Sequence, residues 1–401
     1  MGEYRDMAAA GDAHPGGADG PWAPWSDPDP GLYVHVPFCA RRCDYCDFAI
    51  VAGRDDLAPR FVALVARELD RLPEGAVRAA SVHLGGGTPS RLPPELLGRL
   101  LDAVRGRFEV APDAEIGLEA NPEDVSPARA AAWRAAGIDR VTLGLQALDE
   151  GGLAAIGREG TVAEGLGALA TLRAAGFVSL GVDLIFGRPG QTMEGWLREL
   201  ERLAELDVDH VSLYALELDG RTPLVRAIEG GTVPRPDPDL AAEMYAAAVE
   251  RLAARGLRRY EISNFARPGH ESRHNLRYWT DESYLGVGPS AASYWRGARW
   301  TAPRGFGAWA RAIERGAGAG DPEPWVPDRR AGEAIVLGLR LDRGVDLGRV
   351  ARRHGRAAVD ARRDAIARHL AAGALVRQPD GRIALAESSR LIADEVFVDL
   401  L

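Results

Sequence analysis

Two periods of apolar and polar residues run through this chain. Short apolar or β-branched runs, LYVHV (32–36), SVHLGG (81–86), EIGLEA (115–120), RVTLGL (140–145), LGVDLIF (180–186) and HVSLYAL (210–216), alternate with longer stretches that are apolar every three or four positions. The first kind predicts buried strands and the second amphipathic helices. Strand and helix repeated in this way imply a parallel sheet with helices outside. Because crossovers between parallel strands are right-handed, the repeat curls into a barrel or part of one. The predicted fold class is α/β, a partial (β/α)6 TIM-like barrel over 29–257.

Beyond the barrel the pattern changes. The stretch 235–257 predicts one more amphipathic helix, and 258–328 is an aromatic, loop-rich middle region ending in a Gly, Asp and Pro-rich linker near 316–327. From 329 to 401, helical patterns at 346–354 and 358–372 lead into LVRQPDGRIAL, whose Pro379-Asp380-Gly381 marks a hairpin turn. Helix, helix, hairpin is the order of an α+β winged-helix-like domain. At the other end, 1–28 is rich in Gly, Pro, Asp and Ala and predicts disorder, with Trp22 and Trp25 as candidates for local packing.

Charge narrows the function classes. The net charge of -9 argues against a protein that coats nucleic acid or an anionic membrane. The C-terminal segment carries 14 Arg against 10 Asp and Glu, but arginine-rich helices are usually solvated faces, so no nucleic-acid partner is expected. Every basic residue is Arg, which with the abundant Ala and Gly reads as biased composition. The first residues lack the basic start and apolar core of a signal peptide, and no apolar run approaches the ~18 residues of a membrane span. A cytoplasmic protein with reduced thiols and no stable membrane insertion is expected.

The chemistry concentrates in LYVHVPFCARRCDYCDF (32–48), which holds all three cysteines, Cys39, Cys43 and Cys46. Three thiolates in one loop suit a cubane iron-sulfur cluster better than structural zinc, which takes four ligands. One iron then lacks a protein ligand and can bind and reduce something. An odd count without secretion disfavours a disulfide. If the barrel forms, the cysteine loop follows the first strand, Gly85-Gly86-Gly87-Thr88-Pro89 follows the second, Glu119 closes the third, Gln146 follows the fourth and Asp183 lies late in the fifth. All would share one rim, where barrels of this kind place their sites.

The cysteine loop resembles that of the radical S-adenosylmethionine (SAM) proteins, with Tyr45 before the last cysteine fitting as well. The resemblance implies a 4Fe-4S cluster on Cys39, Cys43 and Cys46, with SAM on the fourth iron and cleaved by one-electron reduction. It also implies SAM contacts from Gly86, Gly87 and Thr88 of GGGTP, from Glu119 in EANPE, and from Gln146, Arg158 in IGRE and Asp183, with Tyr33 as the aromatic near the cluster. A one-electron donor such as a flavodoxin or ferredoxin follows as a partner. Further on, YEISNF, SRHNLRYW, YLGVGPS and the C-terminal domain resemble the group that holds the oxygen-independent coproporphyrinogen III oxidase and the heme chaperones. Phe48 stands where the oxidase has a further cysteine, and only about 30 residues precede the first strand; both favour the chaperone. HNLRYW resembles a signature linked to heme binding, which makes His274, Asn275, Tyr278 and Trp279 heme candidates. Gly160, Ala292, Arg188 and Ser389-Arg390 depart from the group's pattern. The expected function is a heme chaperone that carries heme to an acceptor protein; the alternative is a radical SAM oxidoreductase of the coproporphyrinogen III dehydrogenase type.

Overall fold

The computed structural model describes residues 29–401 apart from 74, 219, 318–319, 321 and 324–325. The expected disorder over 1–28, Trp22 and Trp25 lie outside the described residues, as does part of the linker.

Six parallel strands follow one another in space as they do in sequence: β1 (Gly31–Val36), β2 (Arg78–Gly86), β3 (Glu109–Ala120), β4 (Arg140–Gln146), β5 (Ser179–Phe186) and β6 (His210–Ala215). Between them run α1 (Ala58–Leu69), α2 (Pro94–Arg107), α3 (Pro127–Ala135), the pair α4 (Glu150–Ala155) and α5 (Val162–Ala174), and α6 (Met193–Glu205). The helix starts are written locally. Ser126, Asp149, Thr161 and Thr192 each accept an N–H of the first turn, and Thr161 with Glu164 closes a reciprocal capping box.

Strand alternation splits the barrel into two chemistries. Leu32, Val34, Val36, Val82, Leu84, Leu118, Val141, Leu143, Val182 and Leu184 enter the hydrophobic core with the helices. Their neighbours Tyr33, His35, His83, Glu119, Thr142 and Asp183 occupy the opposite face, and cross-strand register sets Tyr33 beside His83, and Glu119 beside Thr142. The inside of the barrel is therefore polar.

After α7 (Pro223–Glu229) and α8 (Pro238–Ala253), the stretch read as a loop-rich middle region extends the same sheet at both edges. β7 (Arg258–Glu261) and β8 (Asn264–Ala266) add antiparallel to β6. Past α9 (Arg273–Trp279), β9 (Tyr284–Val287) pairs parallel with β1 and is followed by antiparallel β10 (Ala292–Trp295) and β11 (Ala298–Thr301). The result is one open 11-stranded sheet. Each added strand is only three or four residues long, too short for alternation to be legible in sequence.

A helix α10 (Phe306–Glu314) packs Phe306, Trp309 and Ile313 into the first core, which runs from Leu32 to Ile313. A second core, from Ala331 to Leu400, is built by α11 (Pro327–Leu339), α12 (Leu347–His354), α13 (Arg356–Asp360), α14 (Arg363–Ala371), the hairpin β12 (Leu375–Arg377) and β13 (Ile383–Leu385), and α15 (Ala393–Val398). A bridge from Val345 to Ile383 adds a third extended segment to the hairpin, as a wing has. No helix of the described residues is long and apolar enough to cross a membrane.

Candidate cluster and cofactor site

The loop after β1 is pinned at its base. Phe38–Cys39 pairs in parallel with Val51–Ala52, the Gly53 N–H reaches the Cys39 carbonyl, and a turn from Cys43 to Cys46 closes on a 3.1 Å backbone hydrogen bond. The three thiols share the wall of a cavity of about 430 Å³ at the C-terminal ends of the strands. Gly86, Gly87, Thr88, Glu119, Gln146, Arg158 and Asp183 line the same cavity, so one pocket gathers residues that follow or end five strands. The loops approach so closely that glycine is required after β2. A Cβ at Gly87 would sit 2.8 Å from the Pro37 carbonyl carbon, and one at Gly86, whose φ is +111°, 2.6 Å from the His35 ring.

Among the described residues no three His, Cys, Asp or Glu side chains converge as a single metal ion requires. Cluster ligands each take a different iron and need not converge, so three soft sulfur donors around one cavity fit an iron-sulfur cluster and leave one iron without a protein ligand. Burial pushes the Cys39 thiol up to about 11, although the Thr88 hydroxyl donates to its sulfur at 3.4 Å, and burial also raises Cys46. These thiols are protonated at neutral pH until a metal displaces the proton. Arg158 sets its guanidinium 3.7 Å from the Cys43 sulfur and 3.6 Å from Glu123.

Glu119 is held by two donors, His83 Nε2 at 3.0 Å and the Gly86 N–H at 3.1 Å. Burial works to raise its carboxyl, but these bonds and the neighbouring imidazole outweigh it and the group sits below its ordinary value. Asp183 is the opposite case. Burial raises it to about 7, and its Oδ1 is buried with no hydrogen-bond partner, an acceptor or donor aimed into the cavity wall. Gln146 sits at φ +68°, where β4 bulges against β5, an unfavourable conformation for a residue with a Cβ that swings its amide over Gly144. Asn121, which donates to Thr88 Oγ1 at 3.3 Å, and Thr142 also line the cavity. Sequence reasoning missed both, although Asn121 stands two residues after Glu119 at the same strand end.

Tyr33 faces a second cavity of about 580 Å³ that shares Phe48, Gly86 and Glu119 with the first. Its other walls include His35, Tyr278, Tyr284, Ala292 and Arg304, and Ser290, whose hydroxyl is buried without a partner at φ +65°. Tyr284, Ser290, Ala292, Thr301, Ala302 and Arg304 of this wall come from the short edge strands and the loops beside them, and that part was not legible in the linear pattern.

The four heme candidates separate. His274 is 1% exposed and lines neither cavity. Its Nδ1 shares a hydrogen bond with Ser81 at 2.9 Å and its Nε2 with Tyr278 at 2.8 Å, while its ring stacks 5.2 Å from His83. Both ring nitrogens are taken by these hydrogen bonds. Burial holds the imidazole well below its ordinary pKa, hence neutral. The reason is tertiary: α9 plugs the barrel at the strand starts, with Glu115 accepting the N–H groups of Arg273 and His274. Asn275 N–H is capped by Ser272, Trp279 lies under the Arg340 guanidinium 4.4 Å away, and Tyr278 alone reaches the second cavity.

Comparison with known proteins agrees with this architecture. Residues 33–203 match the Radical SAM superfamily and residues 327–392 the HemN C-terminal domain. The heme chaperone HemW of Mycobacterium tuberculosis is 38% identical over 381 residues, covering 92% of this chain and 94% of that one. The heme chaperone HemW of Bacillus subtilis is 30% identical, covering 91% and 97%, and the mitochondrial radical S-adenosyl methionine domain-containing protein 1 of Bos taurus 39%, covering 78% and 74%. The solved structure of the coproporphyrinogen III oxidase HemN from Escherichia coli superposes with a TM-score of 0.81 at 21% identity, covering 94% of this chain and 92% of that one, which shows the shared fold. The chain therefore belongs to the radical SAM superfamily, in the group that carries the HemN C-terminal domain and includes the heme chaperones named HemW.

Proposed function

We propose that this chain holds a 4Fe-4S cluster on Cys39, Cys43 and Cys46, binds SAM beside it and carries heme to an acceptor protein. When bound, the cluster supplies a one-electron reductant next to a sulfonium. The chain's own residues would do the holding. The Gly86, Gly87 and Thr88 loop offers backbone close to the cysteines, Gln146 and Asp183 offer polar atoms on the far wall, and Arg158 offsets thiolate charge at Cys43.

The observation that carries the heme reading is the second cavity. Its volume falls in the range of small-molecule sites, its walls combine Tyr33, Tyr278, Tyr284 and Phe48, and Arg304 at its edge suits a carboxylate. We place heme here, with His35 as the imidazole for iron. Burial keeps His35 neutral, and unlike His274 it lines the cavity; both its ring nitrogens are hydrogen-bonded, at 3.1 Å with Tyr33 and 3.3 Å with the Ala49 carbonyl, and iron would have to displace one of these contacts. In this reading His274 is a positioning residue that fixes the Tyr278 hydroxyl.

Anaerobic reconstitution followed by heme titration tests it. Wild type is expected to take up heme with a shifted Soret band, His35→Ala to alter that band, and His274→Ala to retain it. Absence of heme uptake, or turnover of coproporphyrinogen III with loss of propionate carboxyls, would overturn the chaperone reading in favour of the oxidoreductase.

A further inference from the structure

We infer that the outer face of the cysteine loop is the docking surface for a small acidic one-electron carrier protein, an inference that rests on the cluster reading above. Cys46 has two sides. One lines the cluster cavity, and the other lines a separate surface pocket of about 420 Å³ in which neither Cys39 nor Cys43 takes part. It is the ligand through which the site meets the outside.

Four arginines, Arg42, Arg221, Arg226 and Arg304, surround that outer pocket, against one carboxylate among the described residues, Asp47. They come from three separate segments: the cysteine loop, the start of α7, and the turn before α10. Arg304 pairs with Asp47 at 3.7 Å. Arg42 donates to the Cys46 carbonyl and Arg226 to the Arg221 carbonyl, contacts that orient the guanidiniums without neutralising them. Among the described residues no carboxylate lies within ion-pair distance of Arg42, Arg221 or Arg226. In a chain of net charge -9 this is a local reversal of sign. At its rim Phe48 is 65% exposed, an apolar contact inside a basic ring.

The chemistry names the partner class. A cluster that reduces a bound ligand must be reduced again, and with all three cysteines committed the chain has no further thiol pair to relay electrons. One electron leaves the reduced flavin or iron-sulfur centre of the carrier and enters the site beside Cys46; no bond is made or broken and no proton moves. Opposite surface charge would steer the encounter, and short-range apolar contact at Phe48 would hold it.

Flavodoxin is the probe, bound in the oxidised form to the chain with and without its cluster. Arg221→Glu with Arg226→Glu is expected to weaken binding on the order of tenfold, and Arg304→Glu, on a different segment, to weaken it in the same direction. Raising salt from about 50 to about 300 mM should weaken wild-type binding and leave the reversed variants nearly unmoved. Reduction by dithionite, read by electron paramagnetic resonance, should be the same in wild type and in the Arg221→Glu, Arg226→Glu variant. Equal flavodoxin binding by wild type and variants would overturn the inference, as would variants that lose only binding to vesicles of anionic lipid. Failure to take up iron would instead sink the cluster reading, since docking is measured on the cluster-free chain as well.

Discussion

His274 is buried and shares hydrogen bonds at both ring nitrogens, with Ser81 and with Tyr278. Truncating it orphans the Ser81 and Tyr278 hydroxyls and leaves a hole between α9 and β2, so His274→Ala should lower unfolding free energy by about 2 to 4 kcal/mol. Urea denaturation measures this, and a variant as stable as wild type would rule out the structural role. The acid limb has a sign as well. The folded imidazole resists protonation while the unfolded one accepts a proton near its ordinary value of 6.5, so this contribution is present above that pH and is lost as pH falls below it. His210, likewise buried and depressed, adds in the same direction.

At the scale of elements, α1 is tied to the sheet by one carboxyl. Glu68 is 1% exposed, its Oε2 accepts the Gly288 N–H after β9 at 2.8 Å and the Trp309 indole N–H of α10 at 2.9 Å, and its Oε1 has no partner. Burial raises it to about 8 against the opposing pull of those donors, so the folded protein holds a proton there that the unfolded chain releases near 4.5. Its stabilising contribution is whole below 4.5, declines by up to about 1.4 kcal/mol per pH unit above that, and is gone once pH passes 8. Glu68→Gln keeps both accepted hydrogen bonds and has no proton to lose. Denaturation compared at pH 6 and pH 9 should show a steeper fall for wild type than for the variant; parallel curves would contradict the buried neutral acid.

Across the whole molecule, the two cores meet through charged groups. Arg259 of β7 donates to Asp342 at 2.9 Å and to both oxygens of Glu387, and Arg340 reaches the buried Glu261 at 3.2 Å. Asp281, at the end of α9, faces Arg353 and His354 of α12. Removing the Arg259 side chain leaves Asp342 and Glu387 only Arg390, which lies 3.1 Å and 3.2 Å from them, and because Glu387 is largely exposed the junction should weaken by about 1 kcal/mol. Hydrogen exchange is the measure: Arg259→Ala should speed exchange in residues 375–385 while leaving β2 to β5 protected, and unchanged exchange there would show that the apolar contacts alone hold the second core in place.

The repeating β-α pattern and the cysteine spacing are local facts, and the sequence alone determined them: a strand needs its own apolar run, a loop needs its own glycines, and three thiols within eight residues meet whatever the rest of the chain does. The barrel rule then carries Gly86, Glu119, Gln146 and Asp183 to one rim from their places in the sequence. What lay beyond reach was decided by contacts far apart in sequence. Whether His274 presented a nitrogen or buried it depended on Ser81 and Glu115, more than 150 residues away. The second cavity exists because β9 pairs with β1, and its walls join Tyr33 to Arg304. Short edge strands have too little alternation to announce themselves, and a side chain's partners are chosen only when the sheet brings them together; for that reason the tertiary structure alone could separate the residue that faces a ligand from the one that holds it in place.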